Sequence, residues 1–316
     1  MKKIDLLPSG GKQYKINMHT HSTVSDGAFT PEELKQVYQS LGYDAIVFTD
    51  HGDCCPHTEL TDENFVALTG VEIDYSIKTE TGHLEKAVHI NAFSFDPEKK
   101  AIYHSRPLDY DLINRDIAQL KADGFLVSLN HPIWSGMTNE EVAKVQGFDA
   151  MEISNSIGEM IHNYSDDSSV YEAFLRSGGR AIPVAGDDCH RKWADGTASI
   201  EYGKSFVMVK AETLTYEALM EAIASGDCYA STGPKFEALW LEGDMLHVKC
   251  DPIAGVYVHS KYLNTRAEDV AKTDSITETT LNIAHIRQSG SPYFWVQLGD
   301  THGGKAWLKP CWFDEI

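Results

Sequence analysis

Short apolar runs alternate with segments of helical periodicity over the first two thirds of the chain. The runs are rich in β-branched residues, which predicts buried strands; they read YKINMHTH, DAIVFTDH, FVALTGVEI, AVHINAFSF, FLVSLNHP, DAMEISN, AIPVAGDDCH and SFVMVKA. The first intervening helix is well marked, because Thr30 suits the N-cap, Pro31 the first turn and Glu33 the capping box. Repeated strand–helix units predict a parallel sheet, and about seven of them favour a closed or nearly closed α/β barrel.

The pattern changes after the sequence YASTGP. Short alternating strands follow, separated by turn residues and without helical periodicity; they read FEALWLEGDMLHVKC, GVYVHS, TETTLNIAHI, SPYFWVQLGD and AWLKPCW. This pattern is typical of a small β-sandwich. We therefore predict two domains, an α/β barrel over residues 14–230 and a β-rich, sandwich-like domain over residues 231–316.

Composition limits the classes of protein to which the chain can belong. Its 316 residues are 42% hydrophobic, so it can bury a sizeable core. No run of 18 apolar residues occurs, and the opening MKKIDLLPSGGKQYK lacks the apolar core of a signal peptide, which favours a cytoplasmic protein without a membrane partner. The formal net charge of -20 disfavours nucleic acid binding. Six cysteines without a C-x-x-C pair fit a reducing compartment and give no thiolate zinc motif.

Histidines and acids recur where the predicted strands end. His19 and His21 are two apart, so their side chains point to the same side of the first strand. Alone, such a pair could be two surface histidines beside a turn. The ends of strands in an α/β barrel converge on one face, however, so residues far apart in sequence can meet there. Nitrogen and oxygen ligands without thiolate suit Zn, Mn or Fe.

The motifs HTHSTVSDG, FTDH, GVEI, VHI, NHP and GDDCH occur in this order. Together they resemble the PHP family (polymerase and histidinol phosphatase domain) over roughly residues 14–212. The resemblance implies a distorted (β/α)7 barrel with a di- or trinuclear metal centre. The remaining residues resemble the β-rich tail of PHP metallohydrolases of the carbaryl-hydrolase type.

The resemblance also implies a set of metal ligands for two to three divalent ions. One ion would be held by His19, His21, Glu72 and Asp188. Glu72 would bridge to a second ion, which His89 and His131 also hold, and a third ion would take Asp26, His51 and His190. Relatives carry either histidine or aspartate at the position of Asp26, so the third site is the least determined. Of these residues, Glu72, Asp188 and His190 are the predicted catalytic ones.

Nearby residues offer alternatives and additions to this set. His83 could replace His89 as a ligand, but its surroundings TETGHLEK predict a turn, which favours a place on the rim that binds substrate. Asp187 competes with Asp188, and the family's G-x-D-x-H form matches the latter. Arg191 and Lys192 follow the last ligand directly and could contact a phosphate, although exposed loop residues are equally often solvated charges.

The resulting hypothesis is a metal-dependent phosphoesterase. It would release phosphate from a small phosphate ester through a hydroxide that bridges two ions. One alternative is an amide, carbamate or carboxyl-ester hydrolase with the same metal centre. Another is a ligand- or protein-binding module with an ancillary metal site. The sequence does not determine the substrate, the physiological metal or the oligomeric state.

Overall fold

The computed structural model describes residues 3–158, 166–264 and 266–316. The α-helices whose two ends both lie within these ranges are α1 (Pro31–Ser40), α2 (Tyr110–Ala122), α3 (Asn139–Val142), α4 (Ser168–Arg176), α5 (Tyr216–Ser225) and α6 (Ala284–Gln288). A 3₁₀ turn lies at Thr58–Leu60. Within these ranges, no helix has both the length and the apolar character that crossing a membrane requires.

The strands are numbered in chain order. Those up to the end of the predicted barrel are β1 (Lys3–Asp5), β2 (Lys12–Asn17), β3 (Ala45–Phe48), β4 (Asp53–Cys54), β5 (Val66–Lys78), β6 (Leu84–Ser94), β7 (Ala101–Ile102), β8 (Arg106–Pro107), β9 (Phe125–Leu129), β10 (Ala150–Asn155), β11 (Ile182–Gly186), β12 (Phe206–Ala211) and β13 (Cys228–Ser231). The others are β14 (Phe236–Glu242), β15 (Met245–Ile253), β16 (Gly255–Ser260), β17 (Ala267–Val270), β18 (Ile276–Asn282), β19 (Tyr293–Gly299), β20 (Lys305–Leu308) and β21 (Cys311–Trp312).

Helix α1 confirms the capping pattern predicted from the sequence. The Thr30 side chain accepts a hydrogen bond from the backbone N–H of Glu33, and the Glu33 carboxylate accepts one from the N–H of Thr30 at 2.9 Å. Pro31 is the first helical residue, where its missing N–H costs nothing. Leu34 and Tyr38 are fully buried, so this helix packs its apolar side against the sheet.

The large sheet is only partly parallel. β2, β3 and β5 are parallel neighbours, and so are β9, β10 and β11. β6, however, is antiparallel to both β5 and β9, and β12 is antiparallel to β2. The prediction of a parallel sheet is therefore wrong at these two strands. Only residues 79–83 link β5 to β6, and so short a link permits a hairpin but not the crossover of about a dozen residues that a parallel pair needs.

The two ends of the strand series β2 to β11 come together. Thr20, just after β2, forms a parallel bridge with Cys189, just after β11. The N–H of Asp188 donates to the carbonyl oxygen of His19 at 2.9 Å. Among the described residues this contact is a bridge rather than a continuous ladder. The sheet thus curls towards a barrel, and the complete (β/α)7 closure stays a prediction.

The C-terminal strands extend the same sheet. β13 pairs with β20, and the sheet continues through β19 and β16 to β17. A second sheet of order β1–β14–β15–β18 faces it, and Leu239, Val248, Val256 and Leu298 belong to one buried cluster between them. The short helix α6 also lies in this β-rich part. The predicted boundary between residues 230 and 231 falls inside β13, and the division into two domains stays a prediction.

The buried carboxylate of Asp187 ties the end of β11 to neighbouring segments. It accepts hydrogen bonds from three consecutive backbone N–H groups, those of Gly203 at 2.6 Å, Lys204 at 2.9 Å and Ser205 at 2.9 Å. The Tyr38 hydroxyl of α1 donates to it at 3.0 Å. Burial raises the pKa of Asp187, and these donors oppose that rise. The carboxylate therefore holds in place the segment that carries Asp188.

We expect Asp187→Ala to lower the free energy of unfolding by about 3 kcal/mol, because it leaves buried backbone donors without a partner. Urea unfolding followed by circular dichroism measures this change. Asp195→Ala is the control, since Asp195 is exposed and accepts hydrogen bonds from the neighbouring Thr197, and its effect should stay within about 0.5 kcal/mol. Equal unfolding midpoints for the two variants would contradict the role given to Asp187.

Candidate metal centre

The nine residues predicted as metal ligands lie together at one end of the large sheet. Eight of them follow a strand or lie within one: His19 and His21 follow β2, His51 follows β3, Glu72 is in β5, His89 is in β6, His131 follows β9, and Asp188 and His190 follow β11. Asp26 lies in the turn after His21. The parallel strands end on this side, which brings residues distant in sequence together. Their roles as ligands stay a prediction.

The first predicted group is compact and buried. His21 Nε2 lies 3.0 Å from Asp188 Oδ1 and 3.3 Å from Glu72 Oε2, and His19 Nε2 lies 3.2 Å from Glu72 Oε1. The potential ligand atoms of all four residues lie within 4.8 Å of one another. Each of the four side chains is at most 7% exposed. This group could hold a divalent ion away from bulk water.

Glu72 also belongs to the second predicted group. Its Oε1 lies 3.1 Å from His89 Nδ1 and 3.4 Å from His131 Nε2. Asn130 Nδ2 donates to the same oxygen at 2.9 Å, which fixes the orientation of the carboxylate. The position of Glu72 between the two groups is what a bridging ligand requires.

The third predicted group lies on the open side. Asp26 Oδ1 is 3.4 Å from His190 Nε2, and Asp26 Oδ2 is 3.8 Å from His51 Nε2. His21, assigned to the first group by resemblance, comes close to this group as well, with its Nδ1 3.7 Å from Asp26 Oδ1. The Asp26 side chain is 57% exposed, so this is the side from which a substrate can enter.

The donor atoms fit divalent metal ions. His19 Nε2, both ring nitrogens of His21 and Asp188 Oδ1 are buried and have no hydrogen-bond partner among the described residues. Buried polar atoms without partners are costly and rare. A single cation could contact His19 Nε2, His21 Nε2 and Asp188 Oδ1 at once, whereas His21 Nδ1 faces Asp26. Imidazole and carboxylate donors without thiolate suit Zn, Mn or Fe.

The imidazoles and carboxylates of the centre shift one another's pKa values. Burial acts to raise the pKa of Asp26, but the imidazoles of His190, His21 and His51 outweigh it and lower this pKa to about 2. Burial likewise disfavours the charged form of His51, yet Glu72 and the other carboxylates raise its pKa to about 10. The pKa of His190 rises to about 9 in the same way. The imidazoles and carboxylates of the centre thus favour each other's charged forms.

Several imidazoles have a fixed partner on the nitrogen that faces away from the centre. His19 Nδ1 is 3.1 Å from Glu152 Oε1, and His131 Nδ1 is 3.2 Å from Ser135 Oγ. His190 Nδ1 lies 2.8 Å from the carbonyl oxygen of Asp188. Such partners fix the tautomer and the ring orientation of a ligand. The inward nitrogens of these rings are therefore the ones available for binding a metal.

Two of the predicted ligands have a left-handed backbone. φ is 25° at His131 and 51° at Asp188. Such conformations cost non-glycine residues about 1–3 kcal/mol each and concentrate at functional sites. The Glu152 carboxylate helps to hold one of them, since it accepts a hydrogen bond from the N–H of His131 at 3.0 Å.

The three predicted substrate-binding residues lie in exposed positions. His83 is in the turn between β5 and β6, where its N–H donates to Thr79 Oγ1 at 3.1 Å. Arg191 and Lys192 follow His190, and Lys192 Nζ lies 5.2 Å from the ring centre of Phe29. Substrate contact by these three residues stays a prediction.

Sequence reasoning missed three residues of the centre. Glu152 and Asp74 lie within 3.1 Å of ligand imidazoles. Asp74 had a usable signal, because it is two residues from Glu72 and so shares its strand face. Trp134 lies close to two imidazoles, with its ring centre 4.9 Å from that of His131. Its sequence context carried no comparable signal.

The first part of the chain matches a known family. The sequence model of the PHP domain matches residues 17–131, which include seven of the nine predicted ligands. The predicted resemblance to the PHP domain family is therefore confirmed for this segment. Asp188 and His190 lie beyond the matched segment, and the fold brings them to it. No curated protein matches the chain significantly.

Three solved structures are similar to the chain at 15% sequence identity. A two-domain protein from Bacteroides vulgatus ATCC 8482, described as containing a predicted PHP-like metal-dependent phosphoesterase, aligns over 96% of both chains with a TM-score of 0.46. An amidohydrolase from Chromobacterium violaceum aligns over 58% of this chain and 90% of its own, with a TM-score of 0.43. A protein from Bifidobacterium adolescentis ATCC 15703, proposed to be a metal-dependent phosphoesterase, aligns over 61% and 95%, with a TM-score of 0.41. At these scores the three similarities support no conclusion about this chain.

Gly186, the last residue of β11, leaves room for His19. A Cβ at this position would lie 2.3 Å from His19 Cβ and 3.0 Å from Glu152 Oε1. We expect Gly186→Ala to displace His19 and to weaken Mn²⁺ binding by about tenfold or more, measured by titration of the metal-free protein. Gly233→Ala is the matched control, since the nearest atom to its Cβ would be 3.7 Å away. Unchanged affinity in Gly186→Ala would contradict this close approach.

The metal-free protein should become less stable as the pH rises from about 6.5 to 10. The pKa values of His51 (about 10) and His190 (about 9) lie above the ordinary value of 6.5. Their contribution to stability is therefore complete below pH 6.5 and is lost as the pH passes through 9 and 10. Melting temperatures of chelator-treated protein at several pH values measure the loss. A double variant, His51→Asn with His190→Asn, should show a smaller dependence, and an equal one would contradict the assignment.

Proposed function

We propose that the protein is a metal-dependent hydrolase, and specifically a phosphoesterase that releases phosphate from a small phosphate ester. The position of Glu72 between two groups of imidazoles carries this proposal, because it suits a centre with adjacent metal ions. Two or three divalent ions, Mn, Zn or Fe, would supply Lewis acidity and lower the pKa of water towards about 7 when bound.

The protein's own residues would hold, orient and shield the reacting groups. His19, His21 and Glu72 are buried, so they keep bulk water from one side of the centre. Glu152 and Ser135 fix ring orientations from behind. The side with Asp26 and His51 is more exposed to solvent. A substrate would therefore reach the centre from this side.

A groove of about 340 Å³ leads away from this open face. His51, Asp74 and His89 line its inner end, and Lys78 lies further along the same strand face. The volume is in the range of small-molecule sites. Three divalent ions would carry more positive charge than the nearby carboxylates carry negative charge, so the pocket would attract an anion despite the acidic composition. A small phosphorylated molecule is therefore the proposed partner.

An amide, carbamate or carboxyl-ester hydrolase is the second candidate. The half-buried Trp134 favours it, because this ring beside His89 and His131 could pack against an uncharged, apolar substrate. The same donor set could polarise a carbonyl group instead of a phosphoryl group.

The remaining proposals concern architecture and location. Residues 14–230 would form the distorted barrel and residues 231–316 an added β-rich domain. The net charge of -20 supports a protein that does not bind nucleic acid, and we keep the cytoplasm as the proposed compartment.

Hydrolysis assays separate the two candidate activities. The protein is stripped with a chelator and reloaded with Mn²⁺, Zn²⁺ or Fe²⁺, and a panel of phosphomonoesters, carboxyl esters and amides is tested. Metal-dependent phosphate release is expected. Turnover confined to esters or amides would support the second candidate, and no turnover with any metal would contradict the hydrolase proposal.

Glu72→Gln should lower kcat at least about 100-fold. Loss of a residue that only orients a metal ligand already costs about 10–100-fold in metal affinity or activity, and Glu72 lies at the centre of the predicted ligands. Glutamine keeps the size of the side chain and can still accept the hydrogen bond from Asn130, so the far-UV circular dichroism should not change. Glu63→Gln is the control at an exposed position. Near-normal turnover in a fully metal-loaded Glu72→Gln protein would exclude the bridging role.

A further inference from the structure

Asp74 lies between two imidazoles that belong to different predicted groups. Its Oδ1 is 3.1 Å from His51 Nδ1 and 3.3 Å from His89 Nε2. The antiparallel register of β5 and β6 places Asp74 directly opposite His89. The motifs shared with the PHP family assign no role to this carboxylate.

The short contact between Asp74 and His51 lacks the geometry of a hydrogen bond. Both Asp74 Oδ1 and His51 Nδ1 are buried atoms, and neither has a hydrogen-bond partner among the described residues. Glu72 Oε2 lies 3.3 Å from the same imidazole nitrogen. Three potential ligand atoms, one from each of these residues, therefore face one another at this point.

These separations suit ligands of one ion. Ligand atoms at about 2.0–2.2 Å from a divalent metal lie about 3.0–3.5 Å from each other at tetrahedral or octahedral angles. The contacts of His51 Nδ1 with Asp74 and Glu72 fall in this range. On the other side of the ring, His51 Nε2 is 3.8 Å from Asp26 Oδ2, and the Asp26 side chain is much more exposed than that of Asp74.

A neutral imidazole binds a metal through one nitrogen at a time. His51 can therefore serve an ion beside Asp26 and His190 or an ion beside Glu72 and Asp74, but not both at once. The closer spacing and deeper burial favour the second position.

We propose that Asp74 is a metal ligand and that, with Glu72 and His51 Nδ1, it forms a cation position next to the bridging carboxylate. This inference rests on the proposed metal centre. It deepens that proposal, because the ion held by His51 would lie beside Glu72, at the inner end of the groove.

Cobalt substitution distinguishes a ligand from a residue that only orients the histidines. Asp74→Cys loaded with Co²⁺ should show a near-ultraviolet thiolate-to-cobalt charge-transfer band, because this band requires direct sulfur–metal contact. Ser76→Cys is the matched control, since Ser76 is the next residue on the same strand face and also lines the groove. It should show no such band, and neither should the wild-type protein.

Metal titration supplies the second measurement. Asp74→Asn should weaken the most weakly bound Mn²⁺ at least tenfold or remove one equivalent, whereas Ser76→Ala should stay within twofold of wild type. Failure of the wild-type protein to bind Co²⁺ or Mn²⁺ would overturn the metal centre itself. A wild type that binds metal, together with no band in a folded Asp74→Cys and unchanged affinity in Asp74→Asn, would overturn only the role of Asp74.

Discussion

The centre depends on one buried carboxylate, that of Glu72. It is 1% exposed, and five imidazoles approach it to 3.1–3.4 Å, those of His19, His21, His51, His89 and His131. A buried charge of this kind is tolerated only when opposite charge or hydrogen-bond donors surround it. Burial disfavours its ionisation, yet the histidines hold the pKa of Glu72 well below its usual range. The surrounding fold must therefore bring positive charge to this point, as protons on histidine or as metal ions.

The chain meets this requirement with strained and crowded backbone. His131 and Asp188 both have positive φ, and Gly186 leaves no room for a side chain against His19. The Glu152 carboxylate contacts the ring of His19 and the backbone of His131. These contacts maintain a backbone geometry that costs conformational energy at two predicted ligands.

The departure from a parallel sheet has a direct effect on the centre. Because β6 folds back on β5 as a hairpin, His89 stands opposite Asp74, two pairs along the ladder from Glu72. A parallel crossover would have placed a helix here and would have moved this strand away from β5. The hairpin thus forms one wall of the centre and the floor of the groove that leads from it.

Much of the candidate site could be predicted from the sequence, because His-x-His pairs and strand-end acids follow local periodicity. The capping box of α1 and the grouping of the nine predicted ligands also depend on local pattern and on the meeting of strand ends. Strand direction could not be predicted, since a run such as AVHINAFSF has the same pattern in either orientation. The partners Asp74, Glu152 and Trp134 became evident only in the folded chain. Their positions depend on the pairing register and the packing of strands that are far apart in sequence. Residue spacing along the chain predicts neither.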